Sequence, residues 1–330
     1  MSGMAVHTEL TEDELRACAQ ACEVEGPLRF EGIPEGTIHT NYRVHTPERR
    51  LYLRFVEGQS ADQVDWELRL CAHLAAAGLE VPRPLPRRDG ALQGSLRGQP
   101  VVLFTEVPGA AAPRSAWDPA ALRSLGARLA QLHRAGLGFS PPRPNLEGPE
   151  QVGARLARLA EDPRVVSDAA LAAGVAAFQG ALAGSAATLD SLPEACWGVC
   201  HCDLFPDNVH FVGGRATGLL DLEMSATAPF IYDLAITLIV WAWDGAFSPP
   251  LAQALVAGYE AHRPLAPVEG AALFDAARLA AARFGSSRIE TFALAPPELK
   301  MVRKDWRRFR DRLRDLEALG PAGLRALVWP

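Results

Sequence analysis

The chain reads as an α+β protein of two lobes, a small β-rich one followed by a larger, mainly helical one. Three observations predict this. Residues 28–57 and 99–107 carry β-prone stretches broken by Gly and Pro. From Asp118 onward apolar residues recur at helical spacing. Between these regions Pro108-Gly109 punctuates the chain, which sets the expected lobes at 1–107 and 108–330. A chain of 330 residues is long enough for two such bodies.

Each element has its own signal. Leu51-Tyr52-Leu53-Arg54-Phe55-Val56 is β-prone and stops at Glu57-Gly58. Residues 61–77 predict a helix, with Val64, Leu68, Cys71 and Leu74 near one face and Gly78 as its stop. Pro82, Pro84 and Pro86 forbid its continuation and predict an extended connector. Pro100-Val101-Val102-Leu103-Phe104 is apolar throughout and predicts a buried strand. Asp118 is placed to cap a helix running to His133, with Leu122, Leu125, Leu129 and Leu132 inward. Residues 151–190 predict more helix. In 196–222 two short β-prone stretches flank a polar loop. Helix returns at 231–243, about 250–262, about 267–290 and about 300–318.

Composition narrows the function classes. Net charge is −6 with a pI near 5.8, so there is no basic footprint for nucleic acid. Residues 1–14 lack the apolar core of a signal peptide, and the most apolar run, Leu234–Trp243, is too short for a bilayer. A cytoplasmic protein with no membrane partner is expected; its oligomeric state is open. Six cysteines without a secretory signal predict free thiols. The spacing of Cys196, Cys200 and Cys202 matches no zinc pattern.

The chemistry concentrates in His201-Cys202-Asp203-Leu204-Phe205-Pro206-Asp207-Asn208 and in Asp221-Leu222-Glu223. An Asp and an Asn five residues apart on a loop precede an Asp that lies 18 residues after the first, at the end of an apolar strand. Phosphoryl transfer suits this set. That reaction is catalysed mostly by positioning and charge neutralisation. It needs a carboxylate near the attacking hydroxyl, which Asp203 offers. It also needs hard oxygen ligands for Mg²⁺, which Asn208 and Asp221 offer.

The H-x-D-x-x-x-x-N loop followed by D-x-E resembles the aminoglycoside phosphotransferase superfamily, relatives of the protein kinases. The loop with Val209, then Tyr232-Asp233-Leu234-Ala235-Ile236 and Trp241, is most similar to type II homoserine kinase. So are Phe30-Glu31-Gly32-Ile33 through Gly36 and Asn41, and His262-Arg263-Pro264. The resemblance implies a protein-kinase-like two-lobed fold and the use of ATP and Mg²⁺ on a small-molecule hydroxyl. It implies Asp203 as the base and Asn208 and Asp221 as metal ligands. Glu223 and Asp207 would be supporting groups, His201 a brace, and Asp233 a structural anchor of the loop backbone. Gly36 and Thr37 would belong to a lid over the phosphates, and Thr105, Glu106 and Val107 to a hinge that meets adenine. Arg54 stands where protein kinases carry a Lys, with Glu67 as its helix partner. An Arg fork grips two phosphate oxygens, whereas Lys is a point charge.

Several residues also have plain structural explanations. His133 beside Leu132 fits a packed core histidine, and Trp241 and Trp243 fit core better than a substrate platform. Arg283 and Arg288 fit either solvated helix charges or substrate contacts. From Gly245 onward the chain carries 13 Lys and Arg against nine acids. That balance leans toward an acceptor with a carboxylate rather than a polycation. With the resemblance, homoserine or a related hydroxy amino acid is the first expectation. An aminoglycoside, choline or a sugar is the alternative within the superfamily, and a nucleotide-binding pseudokinase the alternative outside catalysis.

Overall fold

The computed structural model describes residues 8–33, 39–296, 298 and 303–329. These fall into two compact units. One comprises the chain up to Pro108 with the short return Leu220–Glu223 and the residues about Glu298. The other comprises Gly109–Leu219 and nearly all that follows Met224.

The first unit begins with α1 (Glu12–Ala21), an element the sequence pattern above does not predict. Thr11 caps it through a reciprocal pair of bonds with Glu14. Five strands follow: β1 (Arg29–Gly32), β2 (Thr40–His45), β3 (Arg50–Phe55), β4 (Gly94–Leu96) and β5 (Gln99–Thr105). They form one antiparallel sheet in the order β1-β2-β3-β5-β4. The helix α2 (Ala61–Ala76) is inserted after β3 and capped by Ser60 with Gln63.

Strand alternation explains why β5 is apolar throughout. Val101 and Leu103 face the cluster that holds Leu15 and Ala19 of α1. Val102 and Phe104 face the other way, onto Val64 and Leu68 of α2. On β3, Leu51, Leu53 and Phe55 take the α1 side. Tyr52 and Arg54 are left on the α2 side, where Arg54 is paired in register with Asn41 of β2.

The second unit is mostly helical. α3 (Pro119–Ala135) starts at Asp118, whose carboxylate accepts from the Ala121 N–H, with Pro119 at its first position. Residues 151–190 are three helices rather than one stretch: α4 (Pro149–Glu161), α5 (Pro163–Val166) and α6 (Ala169–Asp190). Asp162 and Asp168 cap α5 and α6, so each break is a new helix start. By length and composition α6 could cross a membrane, unlike the shorter run noted in the sequence; here it packs on α9.

β6 (Trp197–Cys200), β7 (Val209–Val212), β8 (Arg215–Leu219) and β9 (Ala226–Pro229) form two small antiparallel pairs, β6 with β9 and β7 with β8. α7 (Phe230–Trp241) is buried along its whole length, and α8 (Pro249–Glu260) and α9 (Pro267–Arg288) follow. α9 continues into a π turn, Ile289–Ala293. The last helix, α10 (Arg307–Val328), starts later than the sequence predicts and runs further, kinked at Gly320-Pro321. Trp241 and Trp243 are core residues.

α3 and α8 meet backbone to backbone at two glycines. A Cβ on Gly126 would strike the Leu255 carbonyl oxygen, and one on Gly258 would strike that of Arg123. This close approach puts His133 of α3 beside Tyr259 of α8, with Nδ1 2.7 Å from the hydroxyl oxygen.

Candidate active site

The loop after β6 is strained at its centre and held on both sides of the strain. Cys202 is fully buried with φ 61°, a conformation L-residues rarely adopt. Its N–H donates to Asp233 Oδ1 at 2.9 Å, and the N–H of His201 donates to Asp233 Oδ2 at 2.6 Å. The carbonyl of Cys202 accepts from the Arg283 guanidinium. Asp233 lies in the first turn of α7 and is completely buried. Burial alone would raise its pKa; the donors from His133 and His201 outweigh burial and hold it below the usual carboxylate range.

Burial pulls the His133 pKa down, which favours the neutral ring. A carboxylate can only accept, so His133 Nε2–H donates to Asp233 at 3.0 Å. Nδ1 then accepts from Tyr259. With Cys200, these residues form a cluster of metal-capable donors. Both ring nitrogens and the carboxylate are already hydrogen-bonded, and the Cys200 thiol is directed at the Ala228 and Pro229 carbonyls. The cluster is structural, and all six cysteines are free thiols.

Asp203 follows the strained residue. Its N–H donates to His201 Nδ1 at 3.3 Å. Its carbonyl accepts from the Phe205 N–H and from Asn208 Nδ2, both at 2.8 Å. Asn208 Nδ2 also lies 3.4 Å from Asp203 Oδ2. With its amide hydrogens engaged, Asn208 has only Oδ1 to offer a cation, and an amide oxygen is a donor Mg²⁺ accepts. Desolvation raises the Asp203 pKa, partly opposed by the charge of Arg283. Asp207 is exposed in the turn Pro206–Asn208.

In the first unit, Arg54 Nη1 donates to Glu67 Oε1 at 2.9 Å, and Nη2 lies 3.8 Å from Asp221 Oδ1. Burial lowers the Arg54 pKa, but the carboxylates of Glu67 and Asp221 more than offset this and hold the guanidinium charged. Its Nε has no acceptor among the described residues, which suits a donor awaiting a phosphate oxygen. Asp221 has φ 57°, a second strained L-residue. The nearby Glu223 is tied down: Oε2 accepts from His39 Nε2 at 2.7 Å and from Gln59 Nε2 at 3.3 Å. His39 Nδ1 accepts from the Glu57 N–H, which fixes that tautomer. The sequence singled out neither His39 nor Gln59. Both bonds fall on Oε2 and brace the side chain.

Other sequence candidates fall as follows. Gly36 and Thr37 lie outside the described residues. Thr105 donates its N–H to the Arg83 carbonyl, so it cannot offer that group to a purine. The Glu106 side chain pairs with Arg43 and Arg50. Arg283 is not a solvated charge. It is 2% exposed and spent on the loop backbone, with Glu147 at 3.9 Å. Glu147 is itself gripped by both terminal nitrogens of Arg155. Arg288, one turn and a half further on, is half-buried.

A five-stranded antiparallel sheet with a buried Arg–Glu pair, and a helical unit presenting an Asp–Asn loop, define a kinase-like phosphotransferase. Residues 29–271 match the Phosphotransferase enzyme family, and the chain belongs to it. It is 35% identical over 318 residues to homoserine kinase from Gluconobacter oxydans (strain 621H), covering 96% of this chain and 99% of that one. It is 37% identical over 311 residues to homoserine kinase from Methylorubrum populi, covering 92% of each. Among solved structures, the amicoumacin kinase hAmiN in complex with AMP-PNP, Ca²⁺ and Ami shares the fold, with a TM-score of 0.69 at 17% identity and 89% coverage of both chains.

Proposed function

We propose that the chain is an ATP-dependent kinase that phosphorylates the side-chain hydroxyl of homoserine. The observation that carries this reading is similarity over nearly the whole length to proteins named homoserine kinase. The first unit would hold the nucleotide and the second the acceptor. Asp203 orients the acceptor hydroxyl and takes its proton as the oxygen attacks the γ-phosphorus and the bond to ADP breaks. A carboxylate whose pKa is raised by desolvation is a better proton acceptor than one in water. Arg54 steadies the nucleotide phosphates with the fork that Glu67 orients.

The residues fit Mg²⁺ by donor chemistry. Asn208 Oδ1 and the Asp221 carboxylate are hard oxygens, and no thiol or imidazole is needed. Bound there, the ion would neutralise charge on the transferring phosphate.

The test is ADP release with Mg·ATP against homoserine, related hydroxy amino acids, choline, a hexosamine and kanamycin. Homoserine should be turned over best; a preference for any other acceptor discards the homoserine assignment. Asp203→Asn should lower kcat roughly 1,000-fold and leave Mg·ATP affinity within about threefold. Unchanged turnover would remove Asp203 from its role.

A further inference from the structure

The structure divides the two arginines of α9 that the sequence cannot tell apart. Arg283 is committed to the Cys202 carbonyl. Among the described residues Arg288 makes one hydrogen bond, from Nη1 to the Asp305 carbonyl at 3.1 Å. Its guanidinium carbon lies 4.5 Å from the Phe309 ring centroid and 5.8 Å from that of Phe205. Phe205 is two residues past Asp203, and the charges of Arg288 and Asp203 act on each other.

Around Arg288 positive charge is left over. Arg312 lies 4.8 Å from the same Phe309 ring and, among the described residues, donates only to the main-chain carbonyls of Ile239 and Arg308. Arg308 reaches Asp244 at 3.9 Å, and Arg114 reaches the same Asp244 at 3.2 Å. Among the described residues Asp244 is the one carboxylate within ion-pair distance of these four guanidinium groups. Burial and then the charge of Arg308 pull the Arg288 pKa down to about 10 and that of Arg312 to about 9. The N-terminus of α10 adds to the excess, for its first turn holds arginines and no acid. Cations are disfavoured at the positive end of a helix dipole. An anion placed here would offset the repulsion among these cations.

We propose that Arg288, set against Phe205 and Phe309, and Arg308 form the subsite that takes the carboxylate of the acceptor. Stacking on an aromatic face leaves the edge of a guanidinium exposed, and that edge matches a carboxylate with two parallel bonds. The subsite selects a hydroxy acid over an amino alcohol or a sugar. It rests on the reading of the chain as a hydroxyl kinase and names the group by which its acceptor is recognised.

The experiment measures kcat/KM for homoserine and for homoserine amide, whose carboxylate is replaced by a neutral carboxamide, in wild type, R288Q, R288K and R308Q. Melting temperature and Mg·ATP affinity establish that each variant is folded. R288Q should lose about 100-fold with homoserine, mostly through KM, and less than about threefold with the amide. R308Q should lose roughly tenfold with homoserine, and R288K should fall between wild type and R288Q. Equal losses on both acceptors, or no loss on homoserine, overturn the subsite. If wild type prefers another acceptor, the homoserine reading falls on its own, and the same variants are compared on that acceptor and its amide. A preferred acceptor without a carboxylate, or no turnover with any, overturns the subsite.

Discussion

The loop carrying Asp203 and the segment carrying Asp221 share one oddity and solve it differently. Each has an L-residue in the left-handed region, Cys202 at φ 61° and Asp221 at φ 57°. Such a residue costs on the order of 1–3 kcal/mol and persists only when its surroundings over-determine it. In the Asp203 loop the anchors grip the main chain: Asp233 accepts two N–H groups and Arg283 donates to a carbonyl. In the Asp221 segment the anchors run through side chains, from Arg54 to Asp221 and from His39 and Gln59 to Glu223. Gripping the main chain leaves the Asp203 carboxylate available for the role proposed for it. Gripping the side chains makes the Asp221 segment part of a charge network that a nucleotide and its cation would rearrange.

The largest effect should come from the main-chain anchor. Asp233→Ala leaves three buried donors without an acceptor, those of His201, Cys202 and His133. It should cost about 5 kcal/mol in urea unfolding and remove activity in whatever remains folded. A loss under about 1 kcal/mol would mean that the strain at Cys202 is held elsewhere.

Next is the side-chain network. Arg54→Met strands the buried Glu67 and should cost about 3 kcal/mol, while Arg54→Met with Glu67→Met should recover most of that stability. Turnover should stay absent in the double variant, which separates the pair's structural role from its grip on phosphate. Recovered turnover would show that Arg54 does not touch the nucleotide.

The smallest change in stability belongs to Asp221→Asn. Asn tolerates the left-handed conformation nearly as well as Asp, so unfolding should shift by less than about 1 kcal/mol. The dependence of ATP affinity on Mg²⁺ should nevertheless weaken at least about tenfold. An unaltered Mg²⁺ dependence would take Asp221 out of the metal site.

Much of this was legible in the sequence where the signal is local. Asp118 before Pro119, Ser60 before α2 and the spacing of Asp203, Asn208 and Asp221 can all be read along the chain. α1 had a local signal too, in Thr11 and Glu14, but so short and acidic a helix shows little apolar face beyond Leu15 and Ala19. Residues 151–190 hid two breaks because Asp-capped restarts keep a helical composition. What could not be read were partnerships across long separations. His39 meets Glu223 184 positions later, and Arg283 meets Cys202 81 positions earlier. Arg283 and Arg288 lie on one helix with one chemistry; only packing spends the first and spares the second.

The paired glycines of α3 and α8 have a reach beyond their own contact. His133 and Tyr259 meet because Gly126 and Gly258 carry no side chain. A methyl at either position is a wedge, and its far end is the loop: the shift passes from α3 to His133, from His133 to Asp233, and from there to the main chain of His201 and Cys202. The latitude of this chain to drift in sequence is therefore narrow at two positions that are themselves no part of the candidate site.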